Sequence, residues 1–265
     1  MSQLVELNPA RRFGGLDRLY GDGCREYLLY HASAMVVGLG GVGSWAVEAL
    51  ARSGVGRITL VDFDHVAESN INRQIQASDC TLGLEKTQAL AQRIGEYAPD
   101  CKLTLIDAFL EPSNAQALFD DLASQANASP VVLDCCDQVQ AKVAMAVQGR
   151  AKKIPVLVAG SAGGKRQPWL VQPADLRDCI NDPLLAKLRY QLRKHHGFSR
   201  DKRMKVPVFY SQEAVTRNAS CAPEAGLNCA GYGSVVSVTA TMGMQMAAWA
   251  LGHWDKARLK LGPSE

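Results

Sequence analysis

Two cations and three acids, spaced in order after a glycine turn, are the residues of this chain best suited to chemistry. Gly38-Leu39-Gly40-Gly41-Val42-Gly43 is followed by Asp62, Asp64, Asn70, Arg73, Gln74, Lys86 and Asp137. Glycines let a backbone approach phosphates, and a helix N-terminus behind them faces the phosphate charge. A nicotinamide dehydrogenase needs the first acid, which takes a ribose hydroxyl, and little else of this set, because backbone N–H groups largely satisfy its pyrophosphate. A triphosphate needs more. Fixed cations must meet its β and γ phosphates, and an acid must hold magnesium, which neutralises developing charge. Arg73, Lys86 and Asp137 match those needs. Lys86 falls in a first helical turn, where the helix dipole disfavours a cation, and an anionic ligand would explain it there. Glycine clusters also serve plain tight turns, so the flanking elements have to decide.

Those elements read as strand, loop and helix. Met35 to Val37 is a short apolar run entering the glycines, and an alanine-rich helical pattern closes at Gly54. A second run, Ile58 to Val61, ends on Asp62, the spacing of a dinucleotide-binding βαβ unit. The polar stretch His65 to Gln74 is too irregular for a strand and too rich in Asn and Ser for a helix interior. It follows the strand that ends on Asp62 and so lies at the carboxyl edge of the sheet, where open α/β sheets bind ligands. Gly83-Leu84-Glu85-Lys86 opens a helix with Thr87, Leu90, Ile94 and Tyr97 at helical spacing, ending before Pro99. Strands are expected at Leu103 to Asp107, Val131 to Asp134 and Val156 to Ala159, with helices at Asn114 to Gln125 and Gln138 to Lys152. The fold class is α/β: a Rossmann-like, doubly wound, mainly parallel sheet.

After the turn Gly160-Ser161-Ala162-Gly163-Gly164 the character changes. Trp169 to Gln172 and Val206 to Tyr210 read as strands, and Asp182 to His196 as an amphipathic helix with Leu184, Leu185, Leu188 and Leu192 on one face. Three regions result: an N-terminal helical segment 1–33, a nucleotide-binding Rossmann-like domain 34–164, and a C-terminal region 165–265 of strands and helices continuous with it. The last region would face substrate and form a dimer contact.

At 265 residues the chain can bury a full-sized core. A formal net charge of only +3 excludes a protein that is basic all over, so any nucleic-acid surface has to come from local clustering. Lys187, Arg189, Arg193, Lys194, Arg200, Lys202, Arg203 and Lys205 stand against the single acid Asp201, with His195, His196, Tyr190 and Phe198 among them. This is either a solvated helix face and loop or a surface for an RNA backbone. The eight cysteines contain no C-x-x-C pair, which argues against a zinc ribbon. Charges at Glu6, Arg11, Arg12, Asp17 and Arg18 and the lack of an apolar leader point to the cytoplasm. Arg12 and Arg18 are plain solvated charges, or one of them reaches a phosphate in a partner subunit. From Val235 to Leu251 the chain is largely apolar: a buried helix or dimer contact, with membrane association as the competing reading.

Several motifs occur together at compatible spacing: the glycine turn, Leu60-Val61-Asp62-Phe63-Asp64, Asn70-Ile71-Asn72-Arg73-Gln74, Gly83-Leu84-Glu85-Lys86 and Leu133-Asp134-Cys135-Cys136-Asp137. In this order they resemble the signatures of the ubiquitin-activating-enzyme-like adenylyltransferases. The resemblance implies ATP-dependent adenylation of a carboxylate, with ATP and Mg2+ as cofactors. By motif, Asp62 would hold ribose, Asn70 and Arg73 the phosphates, Lys86 the α-phosphate region and Asp137 magnesium. Sulfur-carrier activators of this family usually carry paired C-x-x-C motifs, absent here. The chain is instead similar to the tRNA threonylcarbamoyladenosine dehydratase branch through Arg12-Phe13-Gly14-Gly15, Arg18-Leu19-Tyr20-Gly21, Gly160 to Gly164, Asp182-Pro183-Leu184 and Asn228-Cys229-Ala230-Gly231-Tyr232-Gly233. That likeness implies a modified tRNA as partner. Its carboxylate would be adenylated and then attacked by a nucleophile of the same modification, with loss of one water. A homodimer is expected, with Arg12 or Arg18 crossing to ATP.

Other readings compete. A sulfur-carrier activator would use Cys179, Cys221 or Cys229 as a relay and would have a sulfur-transfer protein partner. A noncatalytic RNA-binding sensor and a dehydrogenase complete the set. Asp134 reads as a strand-end hydrogen-bonding residue rather than a second metal ligand, and Cys135 and Cys136 as packing residues.

Overall fold

The computed structural model describes residues 9–125, 127–215 and 232–261. Three short helices, α1 (Pro9–Phe13), α2 (Gly15–Tyr20) and α3 (Cys24–Tyr30), lead into β1 (Ala32–Val37). The alternation continues with α4 (Gly43–Arg52), β2 (Arg57–Val61), α5 (Lys86–Gly95), β3 (Lys102–Ile106), α6 (Ala115–Ser124), β4 (Ser129–Asp134), α7 (Val139–Lys152) and β5 (Val156–Ala159). β6 (Val171–Asp175), α8 (Pro183–His195), β7 (Pro207–Ser211) and α9 (Val236–Leu261) complete the order. The seven strands form one sheet in the order β3-β2-β1-β4-β5-β7-β6. Every pairing is parallel except that of β6 with β7.

The strands run apolar because both faces of the sheet are covered. β1 is buried along its whole length: Ala34 and Val36 join one core with α3, α4, α5 and α9, while Met35 and Val37 join the other with α6, α7 and α8. Each fully buried Val or Leu stabilises by about 1.5–3 kcal/mol. Successive strands are added on one side of β1 as β2 and β3 and then on its other side as β4 and β5, and this switch opens a crevice at the carboxyl edge.

Two expected strands shift. Pro168 has no N–H and a preset φ, and it starts a 3-10 turn over Pro168–Leu170 that leaves Trp169 exposed; β6 begins only at Val171. β7 starts at Pro207 rather than Val206.

α9 spans about 39 Å at 1.5 Å per residue and runs from one sheet edge to the other. At its start Thr239 packs on Gly41; at its end Trp254 donates to the Ser129 carbonyl at 2.7 Å, and Arg258 to the Tyr20 carbonyl at 2.7 Å. Val238, Met242, Met246, Ala247, Ala250 and Trp254 are buried in the core, so this apolar segment is a core helix. Among the described residues no helix is long and apolar enough to cross a membrane, and the membrane reading loses its basis. α4 and α9 lie side by side in the same direction. A Cβ on Gly243 would overlap the Val42 carbonyl oxygen and stand 2.9 Å from the Ala46 nitrogen, so glycine is what lets the two helices touch.

Candidate active site at the carboxyl edge

Strand register places Val61, Val37 and Asp134 abreast at the ends of β2, β1 and β4. Asp62, Gly38 and Cys135 are therefore neighbours one residue further on. Gly38 has φ +85°, and a Cβ there would lie 2.8 Å from the Cys136 nitrogen. Only glycine fits, on both counts. Its N–H donates to the Val61 carbonyl at 2.9 Å. A Cβ on Gly43 would overlap the Gly38 carbonyl oxygen, whereas one on Gly40 would meet nothing within 4 Å. The turn is closed underneath and open above, as a phosphate cradle at a helix N-terminus must be. α9 brings a second N-terminus to the same turn, with Thr239 Cγ2 3.1 Å from the Cβ position of Gly41, an arrangement the apolar pattern of the tail did not reveal.

Asp62 is buried and braces this turn: Oδ2 accepts from Leu39 N at 2.5 Å and Oδ1 from Asp64 N at 2.8 Å. Burial pushes its carboxyl above the ordinary range, opposed by the Lys86 charge and the two amides. Lys86 is buried as the first residue of α5, with Nζ 2.7 Å from Asp64 Oδ2 and 4.0 Å from Asp62 Oδ1. A bound anion is thus not needed to explain a lysine at that helix start, because two carboxylates of the chain already balance it. Asn70 closes its own turn, Oδ1 accepting from Ala67 N at 3.1 Å, so its Nδ2 is the end suited to meeting a phosphate.

Arg73 stands differently. Its guanidinium donates to the Ser69 carbonyl at 2.6 Å and to Asn72 Oδ1 at 3.0 Å, while its stem packs on Gly41. Trp45 Nε1 holds its carbonyl at 2.9 Å. Among the described residues no carboxylate pairs with it, in contrast to Lys86. Gln74 is buried and accepts from Gln76 Nε2 at 3.1 Å, which also donates to the Leu39 carbonyl at 3.0 Å. Gln76 was not expected; its signal would have been a second amide two residues beyond Gln74.

Asp137 is exposed on the turn that follows β4, and that turn touches Gly38 through Cys136. Asp134, directly before it, is fully buried and pairs with Lys142 at 2.9 Å; Lys142 also donates to the Ala159 carbonyl at 2.9 Å. This pair ties the ends of β4 and β5 together. Burial by itself lowers the pKa of Lys142, but the charge and hydrogen bond of Asp134 together with the neighbouring Cys136 and Cys135 outweigh it and raise the pKa. Asp134 is thus a hydrogen-bonding strand-end residue, as expected. Burial raises the thiols of Cys135 and Cys136, and Cys179 is pushed up to about 12 by burial. None is a ready nucleophile. Cys221, Cys229 and the segment Asn228 to Gly231 lie outside the described residues.

Two expected arginines are not brought to this site within their own chain. Arg12 donates to the Tyr97 carbonyl at 2.6 Å, and Phe13 packs on Gly54, both at the amino edge of the sheet. Arg18 is exposed on α2, close to Gly15. The basic stretch also thins. Arg189 donates to the carbonyls of Leu176 and Cys179, and Arg193 to those of Ser199 and Arg200, so both work as structural braces. The remaining cations lie from α8 to the start of β7, mostly at the amino edge.

The model of the ThiF family matches residues 19–258. The chain is 40% identical to the tRNA threonylcarbamoyladenosine dehydratase of Escherichia coli K12 over 264 residues, covering 95% of this chain and 96% of that relative. With the protein of the same name from Haemophilus influenzae it shares 39% identity over 242 residues, 89% of this chain and 90% of that one. The solved structure of the E. coli tRNA N6-threonylcarbamoyladenosine dehydratase in complex with ATP matches with a TM-score of 0.84 at 36% identity, covering 96% of this chain and 97% of that chain.

Proposed function

The chain belongs to the ThiF family, and from that premise we infer that it is an ATP-dependent tRNA threonylcarbamoyladenosine dehydratase. The extent of the likeness carries this reading. It runs over 95% of the chain, so it takes in the part after Gly160, which must meet the substrate, as well as the nucleotide half.

In the reaction the carboxylate of threonylcarbamoyladenosine attacks the α-phosphate of ATP. A P–O bond forms, the bond to the leaving pyrophosphate breaks, and an acyl-adenylate results. A nucleophile of the same modification then closes a ring on the acyl carbon and expels AMP. No enzyme nucleophile is needed, because an internal attack already has a large effective molarity; the raised thiols of Cys135, Cys136 and Cys179 agree with that. The glycine turn holds the phosphate chain by backbone N–H groups, Asp62 takes the ribose, and Arg73 meets the charge that develops on phosphate. Lys86, held between Asp62 and Asp64, reaches the α-phosphate region as a cation fixed in place beforehand.

The residues fit a magnesium ion that arrives on the triphosphate. Among the described residues no three acids, histidines or cysteines gather as a ready cage, and magnesium is commonly held by one or two carboxylates together with substrate phosphates. Asp137 would be that carboxylate, and the ion would neutralise charge on the phosphates. The region 165–265 serves substrate and dimer contacts in this reading, with the exposed cations from Lys187 to Lys205 facing the tRNA backbone. A homodimer would let Arg18, exposed and far from its own glycine turn, cross to the partner's ATP.

The test is mass analysis of nucleosides from threonylcarbamoylated tRNA after incubation with the protein, ATP and magnesium. Loss of one water, dependent on ATP, is expected. If none is lost but pyrophosphate appears on adding a carrier protein ending in Gly-Gly, the adenylation site stands and the substrate reading falls.

A further inference from the structure

Lys165 follows the Gly160–Gly164 turn and is 1% exposed. An ammonium has three donors, and here they meet the carbonyl oxygens of Asn181 at 3.1 Å, Ser211 at 3.3 Å and Glu213. All three partners are main-chain carbonyls. Asp182 and Glu213 act on the charge only through space, and burial lowers its pKa against them. A ring of backbone carbonyls is the surrounding in which potassium channels place a dehydrated monovalent cation.

The same segments hold the turn by a second set of bonds. Asp182 Oδ2 accepts from Ser161 N at 2.8 Å, and Glu213 Oε2 from Arg166 N at 2.8 Å and Gln167 N at 2.9 Å. On the other side Gly164 N donates to the Gly233 carbonyl at 2.8 Å, and the next residue, Ser234, accepts from Asn72 Nδ2 at 3.0 Å. A continuous line of contacts thus leads from Lys165 to the residue beside Arg73. The turn itself begins where the Lys142 ammonium binds the Ala159 carbonyl, so a buried cation sits at each end of it.

We propose that the Lys165 ammonium is a built-in monovalent cation, filling a cage of three carbonyl oxygens and thereby fixing the Gly160–Gly164 turn that follows β5 at the carboxyl edge. Lys165 is a positioning residue, acting through the turn. The cage follows from geometry alone; only its link to the carboxylate substrate rests on the tRNA reading.

Lys165→Ala would leave the cage open to a small cation. Full-length variant and parent are compared in methylammonium chloride and in tetramethylammonium chloride, which is too large and has no N–H. Melting temperature, ATP affinity and turnover of threonylcarbamoylated tRNA are measured. In tetramethylammonium the variant is expected to melt lower and to lose roughly 10- to 100-fold in kcat/KM for tRNA, with ATP affinity kept. Methylammonium should restore melting temperature and turnover in the variant and leave the parent unchanged. Equal behaviour in the two salts, or failure to fold in either, would overturn the cage. Lys165→Gln, which keeps two donors but no charge, is expected to fold and to show the same split between ATP affinity and tRNA turnover; parental turnover in that variant would also count against the proposal. Should the parent itself not dehydrate the nucleoside, the tRNA reading fails, while the salt-specific melting of Lys165→Ala still decides the cage.

Discussion

Lys86 and Arg73 carry the same charge into opposite surroundings. Lys86 is buried between Asp62 and Asp64, whereas Arg73 leans on a carbonyl and a carboxamide. In the proposed roles, removing either takes a cation away from phosphate, but only the loss of Lys86 takes a charge partner from carboxylates among the described residues. Arg73→Ala is therefore expected to lower pyrophosphate release by about 10²- to 10³-fold with its melting temperature unchanged. Lys86→Ala should lower release as severely and also destabilise the fold by about 1–3 kcal/mol, discounted because Asp64 is more than half exposed. Pyrophosphate release and thermal melting, measured on both variants, separate the two. A thermally intact Lys86→Ala protein would show that the carboxylate pair does not depend on it.

At the level of elements, the site depends on α4 and α5 keeping their relative position, since one carries the glycine turn and the other Lys86. Glu48, buried on α4, is the clamp. Arg93 and Tyr97 reach it from the α5 side at 2.9 Å each, and Arg52 from its own helix at 2.7 Å. Burial alone would raise this carboxyl, but the hydrogen bonds from Arg93, Arg52 and Tyr97 outweigh it and hold the pKa below the ordinary value. A depressed acid stabilises the fold above its unfolded pKa, near 4.3 for Glu, and that contribution is lost as pH falls through the lower folded value. The parent should lose stability to acid below about pH 4.5. Glu48→Gln should be less stable at neutral pH and show a flatter decline there, by denaturant melts at stepped pH. Identical acid limbs would exclude Glu48 as a source of the decline.

For the whole molecule, the proposed function requires a long RNA to meet an active site and a basic surface at opposite edges of one sheet. α8 begins beside Ser161, where its N-cap Asp182 holds the turn, and runs about 20 Å toward the amino edge. Lys187 and Lys194 are exposed along it, and Arg200, Lys202, Arg203 and Lys205 beyond it. An anticodon loop at the carboxyl edge could lay its stem along this track. Six phosphate contacts would weaken tRNA binding by about 10³-fold or more between roughly 50 and 200 mM salt; a flat salt response in a binding titration would remove the track from the reading. The proposed dimer makes a separate prediction. An Arg18→Ala protein mixed with an Arg73→Ala protein should regain part of the parental turnover, because some sites would then hold both intact arginines. No recovery on mixing would leave Arg18 without a crossing role.

The nucleotide half could be read from the chain itself, because its determinants are local. Gly38 and Gly43 occur where φ and close approach allow nothing larger, the apolar runs before and after them have strand length, and Asp62, Arg73 and Lys86 follow at fixed offsets from those runs. What the chain order could not show are partnerships between residues far apart in sequence. Lys142 as the counter-charge of Asp134, Lys165 in a cage drawn from three segments, Thr239 against Gly41, and Arg189 and Arg193 spent on carbonyls all depend on strand order and helix docking. Residue types and spacing set which chemistry the edge of the sheet can perform. Tertiary packing alone decided which charges are balanced in advance and which remain for the substrate, because burial and through-space neighbours, not sequence neighbours, fix the state of a charge.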